Sequence, residues 1–176
     1  NKMKKLIILI TMIAFWGCDK DSSSLVDATD FDNKTEALNF SLQIIESIID
    51  QDVATFKTFF LDSLWTMDGD GQFSLSDGII EEIFSGILSN SAIDANTTMD
   101  DYHTNYTPNI YTFDEFNNYA LEVWSETFPQ YTWITSNDFI FFGHLKENGI
   151  EIIWDDMNLF LVTKIDNKWW FKAAIG

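Results

Sequence analysis

The chain has no arginine, one cysteine, two prolines and two histidines. Without Arg there is no bidentate guanidinium fork for phosphate. All ten basic residues are Lys, set against 28 carboxylates for a net charge of −18. A polyanion is repelled by such a chain, and nucleic acid is not expected as a partner. A single cysteine allows neither a disulfide framework nor a CxxC redox or zinc pattern. The two histidines, His103 in a polar stretch and His144 beside Leu145, stand without a second motif residue, so a hydrogen-bonded structural or exposed role is expected rather than a metal site. No Gly-x-Ser-x-Gly elbow or phosphate-cradling Gly-rich loop occurs. What is present is apolar and aromatic: 46% hydrophobic and 16% Phe, Trp and Tyr in 176 residues, enough for one domain with a full core.

The beginning of the sequence gives an address. Lys2, Lys4 and Lys5 precede an apolar run from Leu6 to Phe15, which is too short to span a bilayer but suits the core of a signal peptide. With Gly17 directly before Cys18, the segment resembles the lipobox of bacterial lipoproteins. That resemblance implies lipidation of Cys18, which would become the new N-terminus. Residues 1–17 are thus expected to be a signal peptide and residues 18–34 a lipidated, flexible, serine-containing tether. Removal of the signal takes away three Lys and moves the charge from −18 to −21. Diacylation supplies the two chains that stable anchoring requires. Asp19 resembles an inner-membrane retention signal and Asp19-Lys20-Asp21 a surface-export signal; the outer membrane is the preferred address.

Residues 35–176 carry the domain. Asn33 with Glu36 makes a capping-box-like start, followed by Leu38, Leu42, Ile45 and Ile49 on one helical face. Asp52 can cap a second short helix with Val53, Phe56, Phe59 and Phe60 inward. From Ser63 to Leu88 the pattern reads strand, Asp-Gly-Asp-Gly turn, strand and helix. Residues 89–111 show no sustained period and are read as a long irregular connection. Thr112 with Glu115 opens another helix, expected to be a second core element with a cap on a pocket mouth as the alternative, and Pro129 stops its stripe. Trp133 to Leu145 then reads as a long strand with a break near Ser136-Asn137-Asp138. Asn148-Gly149 is the strongest hairpin turn, leading to strands at Ile150–Trp154, Leu159–Ile165 and Trp169–Ile175. Alternation puts Trp169 and Trp170 on opposite faces.

The order of these elements, with Asp52, Phe59, Trp65, Gly78, Ile83 and Phe84 at matching places and the closing LFLVTKIDNKWWFKAAI, resembles the NTF2-like family, which includes SnoaL-like and ketosteroid-isomerase-like proteins. The resemblance implies an α+β cone: a curved antiparallel sheet of five to six strands wrapped on the N-terminal helices, here with one extra helix.

Three functional classes follow. The preferred one is a noncatalytic module of the cell envelope that binds a small apolar or aromatic-stacking ligand or another envelope protein. Its candidate pocket residues are Trp65, Phe141, Trp154 and Phe171, chosen as large apolar groups on central strands. The second is a small enzyme of the polyketide-cyclase or isomerase type, which needs a pocket carboxylate near a Tyr; Asp62, Asp138, Asp155 and Asp156 and the tyrosines at 106, 111, 119 and 131 are present, but no spacing pairs them. The third is a calcium-stabilised envelope protein. Read from Thr66 to Asp77, the acidic turn resembles an EF-hand or dockerin loop, with Asp68, Asp70 and Asp77 as ligands. Position one is Thr66, position twelve is Asp rather than Glu, and the flanks pattern as strands, so a plain turn is preferred and no cofactor is required.

Overall fold

The structure, a computed structural model, describes residues 24–66 and 71–174, with side chains from residue 31 onward. The signal segment, Cys18, and Asp68 and Asp70 of the acidic turn lie outside the described residues. The chain divides into two compact units at Asp32/Asn33, and the fold below is that of the second, Asn33–Gly176. It is α+β, with five α-helices and a curved, unclosed sheet of six strands among the described residues.

Helix α1 (Ser24–Ile49) buries Ala37, Ser41, Ile44, Ile45 and Ile48, a stripe at helical spacing. Helical backbone already runs through residues 24–33, where a flexible tether was expected, so Asn33 and Glu36 lie inside the helix instead of opening it. Glu36 turns its carboxylate to Lys164 and to the Trp169 indole N–H. The helix ends on a left-handed Gln51 with the paired bonds of a Schellman motif, Gln51 N–H to Ile48 O and Asp52 N–H to Ser47 O. Asp52 then caps helix α2 (Val53–Lys57) by accepting from Thr55 N–H at 3.0 Å, as its position predicts.

Strands β1 (Phe60–Thr66) and β2 (Gly71–Ser74) form the expected antiparallel hairpin across the Asp-Gly-Asp-Gly turn, so strands rather than helices flank that turn. Helix α3 (Asp77–Asn90) follows, with Ser76 as its cap and Ile80, Phe84 and Ile87 buried. The stretch read as irregular between 89 and 111 contains helix α4 (Met99–Asn105), opened by a complete Thr98/Asp101 capping box, and strand β3 (Tyr106–Tyr111). Helix α5 (Phe113–Trp124) has the expected Thr112/Glu115 capping box. It stops at a left-handed Ser125, before Pro129 is reached.

Strand β4 (Asp138–Leu145) begins only after the suspected break, because the Asp138 carboxylate accepts from Thr135 N–H and closes a turn. Strands β5 (Leu159–Ile165) and β6 (Lys168–Ala174) close the chain. They are joined by Asp166-Asn167, both at positive φ as a two-residue hairpin turn requires.

The hairpin expected at Asn148-Gly149 is corrected: Ile150–Trp154 is not a strand. Strands β3 and β5 occupy the two sides of β4, so no edge is free for a returning strand. The sheet order is β2-β1-β6-β5-β4-β3. It is antiparallel except where β1 runs parallel to β6, which corrects the expectation of a wholly antiparallel sheet. Register shifts occur at that seam and between β5 and β6, and such irregularities bend a sheet.

Both faces of the sheet are covered. On one, Phe139, Phe141, Phe160, Val162, Trp169 and Phe171 pack with buried residues of α1 to α4. On the other, Ile140, Leu161 and Ala173 meet Phe113 and Phe116 of α5, with Phe128, Tyr131 and Trp133 packed around them. The extra helix is therefore a core element. Asn117 fastens the chain beyond it by accepting from Phe128 N–H at 2.8 Å.

Candidate functional site

The four residues expected to line a pocket do not converge. Phe141 and Phe171 share the helix-side core and are joined through Phe160, with ring centroids 4.7 and 5.0 Å apart. Phe60 continues the stack 4.8 Å from Phe171. This aromatic ladder is buried in the helix-side core. Trp65 lies in the other core, stacked at 4.9 Å on Trp133. Trp154 is on no strand; it precedes a 3₁₀ turn (Asp155–Met157) and is 40% exposed. Asp77, the described member of the acidic-loop set, begins α3 and lies 3.7 Å from Lys57 Nζ. Among the described residues, no group of three or more His, Cys, Asp or Glu could hold a metal ion.

Open space lies instead at the end of the sheet where β3 and β5 begin and β4 finishes. A groove of about 330 Å³ is lined by Trp124 of α5, Phe142, Gly143 and Leu145 of β4, Leu159 of β5, and Tyr106, Asn158, Asp155 and Asp156. Its walls are mostly apolar and its volume falls in the small-molecule range. Trp124 is 38% exposed and Leu145 49%, while Tyr106 and Asn158 are buried.

The floor is built by two elements that the sequence pattern did not disclose. Tyr102 of α4 stacks on Tyr106 of β3 at 4.8 Å and donates its hydroxyl to Asn158 Oδ1 at 3.1 Å. Tyr106 Oη accepts from Ile152 N–H at 2.9 Å and Ile153 N–H at 3.4 Å. Asn105 Oδ1 accepts from Ile150 N–H. Side chains thus take the backbone bonds that a strand partner would have taken, and segment 150–158 is held across the sheet end. Burial raises the pKa of both Tyr102 and Tyr106, so both keep their protons as donors. Gly143 makes the close approach feasible: a Cβ there would stand 2.5 Å from Tyr102 Oη and 2.7 Å from Asn158 Oδ1.

Behind Phe142 sits His144, whose ring centroid is 4.0 Å from that of Phe142. Its Nε2 is 2.9 Å from Tyr111 Oη and its Nδ1 3.2 Å from Tyr119 Oη. Partial burial holds the imidazole below its ordinary pKa and raises both phenols. A neutral ring with one donor and one acceptor satisfies both hydroxyls and ties α5 to the sheet. This fits the hydrogen-bonded role expected of His144.

Two further depressions flank these elements. One, of about 590 Å³, lies between Ser91, Ala92 and segment 151–156, with Trp154 at its wall. There, partial desolvation and then the neighbouring Asp155 carboxylate raise the Glu151 pKa. The other, of about 470 Å³, lies between Phe40 of α1 and Asn167, Lys168 and Trp169. Of the groove residues, sequence reasoning had singled out Asp155, Asp156 and Tyr106 only as members of an unpaired pool. Thr98-x-x-Asp101 before two tyrosines four residues apart was the available signal for α4 and its stacked pair.

No protein-family model matches the chain, and no curated protein and no solved structure matches it either. No helix among the described residues is long and apolar enough to cross a membrane.

Proposed function

We propose that the chain is a noncatalytic binding module of the bacterial cell envelope, NTF2-like in family, moored through a lipidated Cys18 and directed to the outer membrane. The observation that carries the reading is where space is left. Phe60, Phe141, Phe160 and Phe171 stack on one another between sheet and helices, while a mostly apolar groove opens beside Trp124 and Phe142. Isomerase-type chemistry needs a carboxylate in reach of a Tyr or His. Here Tyr102 meets Asn158, Tyr106 meets backbone amides, and Tyr111 and Tyr119 meet His144. The order helix, short helix, hairpin, helix, and then four further strands supports the family assignment. The ligand is a small molecule with an apolar or aromatic body.

Two measurements test this. Naphthylethanol, a neutral two-ring probe, is expected to shift the Trp124 indole N–H resonance and to lose affinity at least fivefold in Trp124→Ala; shifts confined to Trp65 or Trp169 would refute the groove. Bacteria fed an alkyne-tagged palmitate are expected to label the chain but not Cys18→Ser, and equal labelling of both would remove the anchor.

A further inference from the structure

We propose that the ligand of this groove is an organic cation, an ammonium group carried on an apolar or aromatic body. The inference rests on the groove being the binding site and specifies the charge of what enters it. Trp124 and Phe142 offer two aromatic walls, with ring centroids 5.7 Å apart and an interplanar angle of 70°. Trp124 is partly exposed, leaving indole surface for a ligand. An indole face attracts a cation as well as an apolar body.

The polar side of the groove has one sign. Asp155 and Asp156 line it, both exposed, and no lining residue is basic. Helix α5 ends at Trp124 itself, with no basic residue in its last turn, so the negative pole of a twelve-residue helix lies at the groove wall.

The described lysines are engaged elsewhere. Lys34 pairs with Glu115, Lys57 with Glu81, Lys164 with Glu36 and Lys172 with Asp138. Lys146 donates to the His103 carbonyl, and Lys168 lies over the Trp170 ring. Each is thus committed to a partner outside the groove lining. A neutral ligand would gain nothing from the two carboxylates, and an anion would be repelled.

The test is a calorimetric titration of the full chain with naphthylethylamine, naphthylethanol and naphthylacetate, which share one aromatic body and differ in charge. The amine is expected to bind roughly tenfold tighter than the alcohol and the acetate more weakly than either, with a preference that shrinks as salt is raised. In Asp155→Asn/Asp156→Asn the amine should bind no tighter than the alcohol does to the same variant. Should that variant lose the alcohol as well, Leu145→Lys replaces it: this variant plants a cation at the exposed rim and must abolish the preference for the amine. Equal affinity of amine and alcohol for the unaltered chain, or a preference that survives these changes, overturns the inference while leaving the groove reading in place. Failure of every probe to shift the Trp124 resonance overturns the groove reading, and the inference with it.

Discussion

Removing one methylene-borne charge should expose how the second core is held. The Asp138 side chain is fully buried and that of Lys172 is 14% exposed. Asp138 Oδ2 accepts from Lys172 Nζ at 2.5 Å and from Thr135 N–H at 2.7 Å, while Nζ also donates to the Trp133 carbonyl at 2.8 Å. Asp138 Oδ1 has no partner among the described residues. Lys172→Met keeps the length of the side chain but strands a buried carboxylate with one N–H donor, an arrangement that costs about 3–5 kcal/mol. Asp138→Asn keeps an acceptor for Thr135 and leaves Lys172 its carbonyl and some water, so the loss is smaller, about 1.5–3 kcal/mol. The double variant should be more stable than Lys172→Met alone, because the stranded charge is gone. With an unfolding entropy of about 0.3 kcal/mol per kelvin for a domain of this size, Lys172→Met should lower the melting temperature by roughly 10–17 °C. Urea and thermal melts followed by circular dichroism measure both the shift and the coupling. A loss below about 1 kcal/mol for Lys172→Met, or strictly additive costs in the double variant, would refute the claim that this pair is desolvated and mutually dependent.

Two further outcomes follow from the groove floor and its neighbour. Gly143→Ala places a methyl against Tyr102 Oη and Asn158 Oδ1, so it should cost about 1–3 kcal/mol by overpacking and weaken probe binding in parallel; a melt like that of the parent chain would mean the network yields freely. Because burial depresses the pKa of His144, the unfolded chain takes up that proton first as the pH falls. Its contribution is complete above about pH 6.5 and is lost as pH drops through the lower folded value, so the chain should lose stability as the pH falls below about 6.5. His144→Gln should flatten that window. The carboxylates held low by hydrogen bonds, Asp52 to Thr55 and Asp101 to Thr98, act in a separate window below about pH 4. A melting temperature with the same pH slope in both chains would show that another group titrates there.

The amino-acid sequence alone determined those features whose causes are local. Asp52, Thr112 with Glu115, and the Phe56 and Phe84 stripes specify helix starts and inward faces because capping and amphipathic spacing act within a few residues. Alternation around the acidic turn specified a hairpin, and the patterns of Leu159–Ile165 and Trp169–Ile175 specified two strands, for the same reason. Tertiary structure decided the rest, where two segments competed for one partner. Asn148-Gly149 has the chemistry of a hairpin turn, yet Ile150–Trp154 found β4 already paired by β3 and β5 and gave its N–H groups to Tyr106 and Asn105. Likewise, Trp65, Phe141, Trp154 and Phe171 are equally large and apolar in the sequence. Only the packing of two cores separates them and leaves the groove at Trp124, because which face a strand buries depends on what the rest of the chain brings against it.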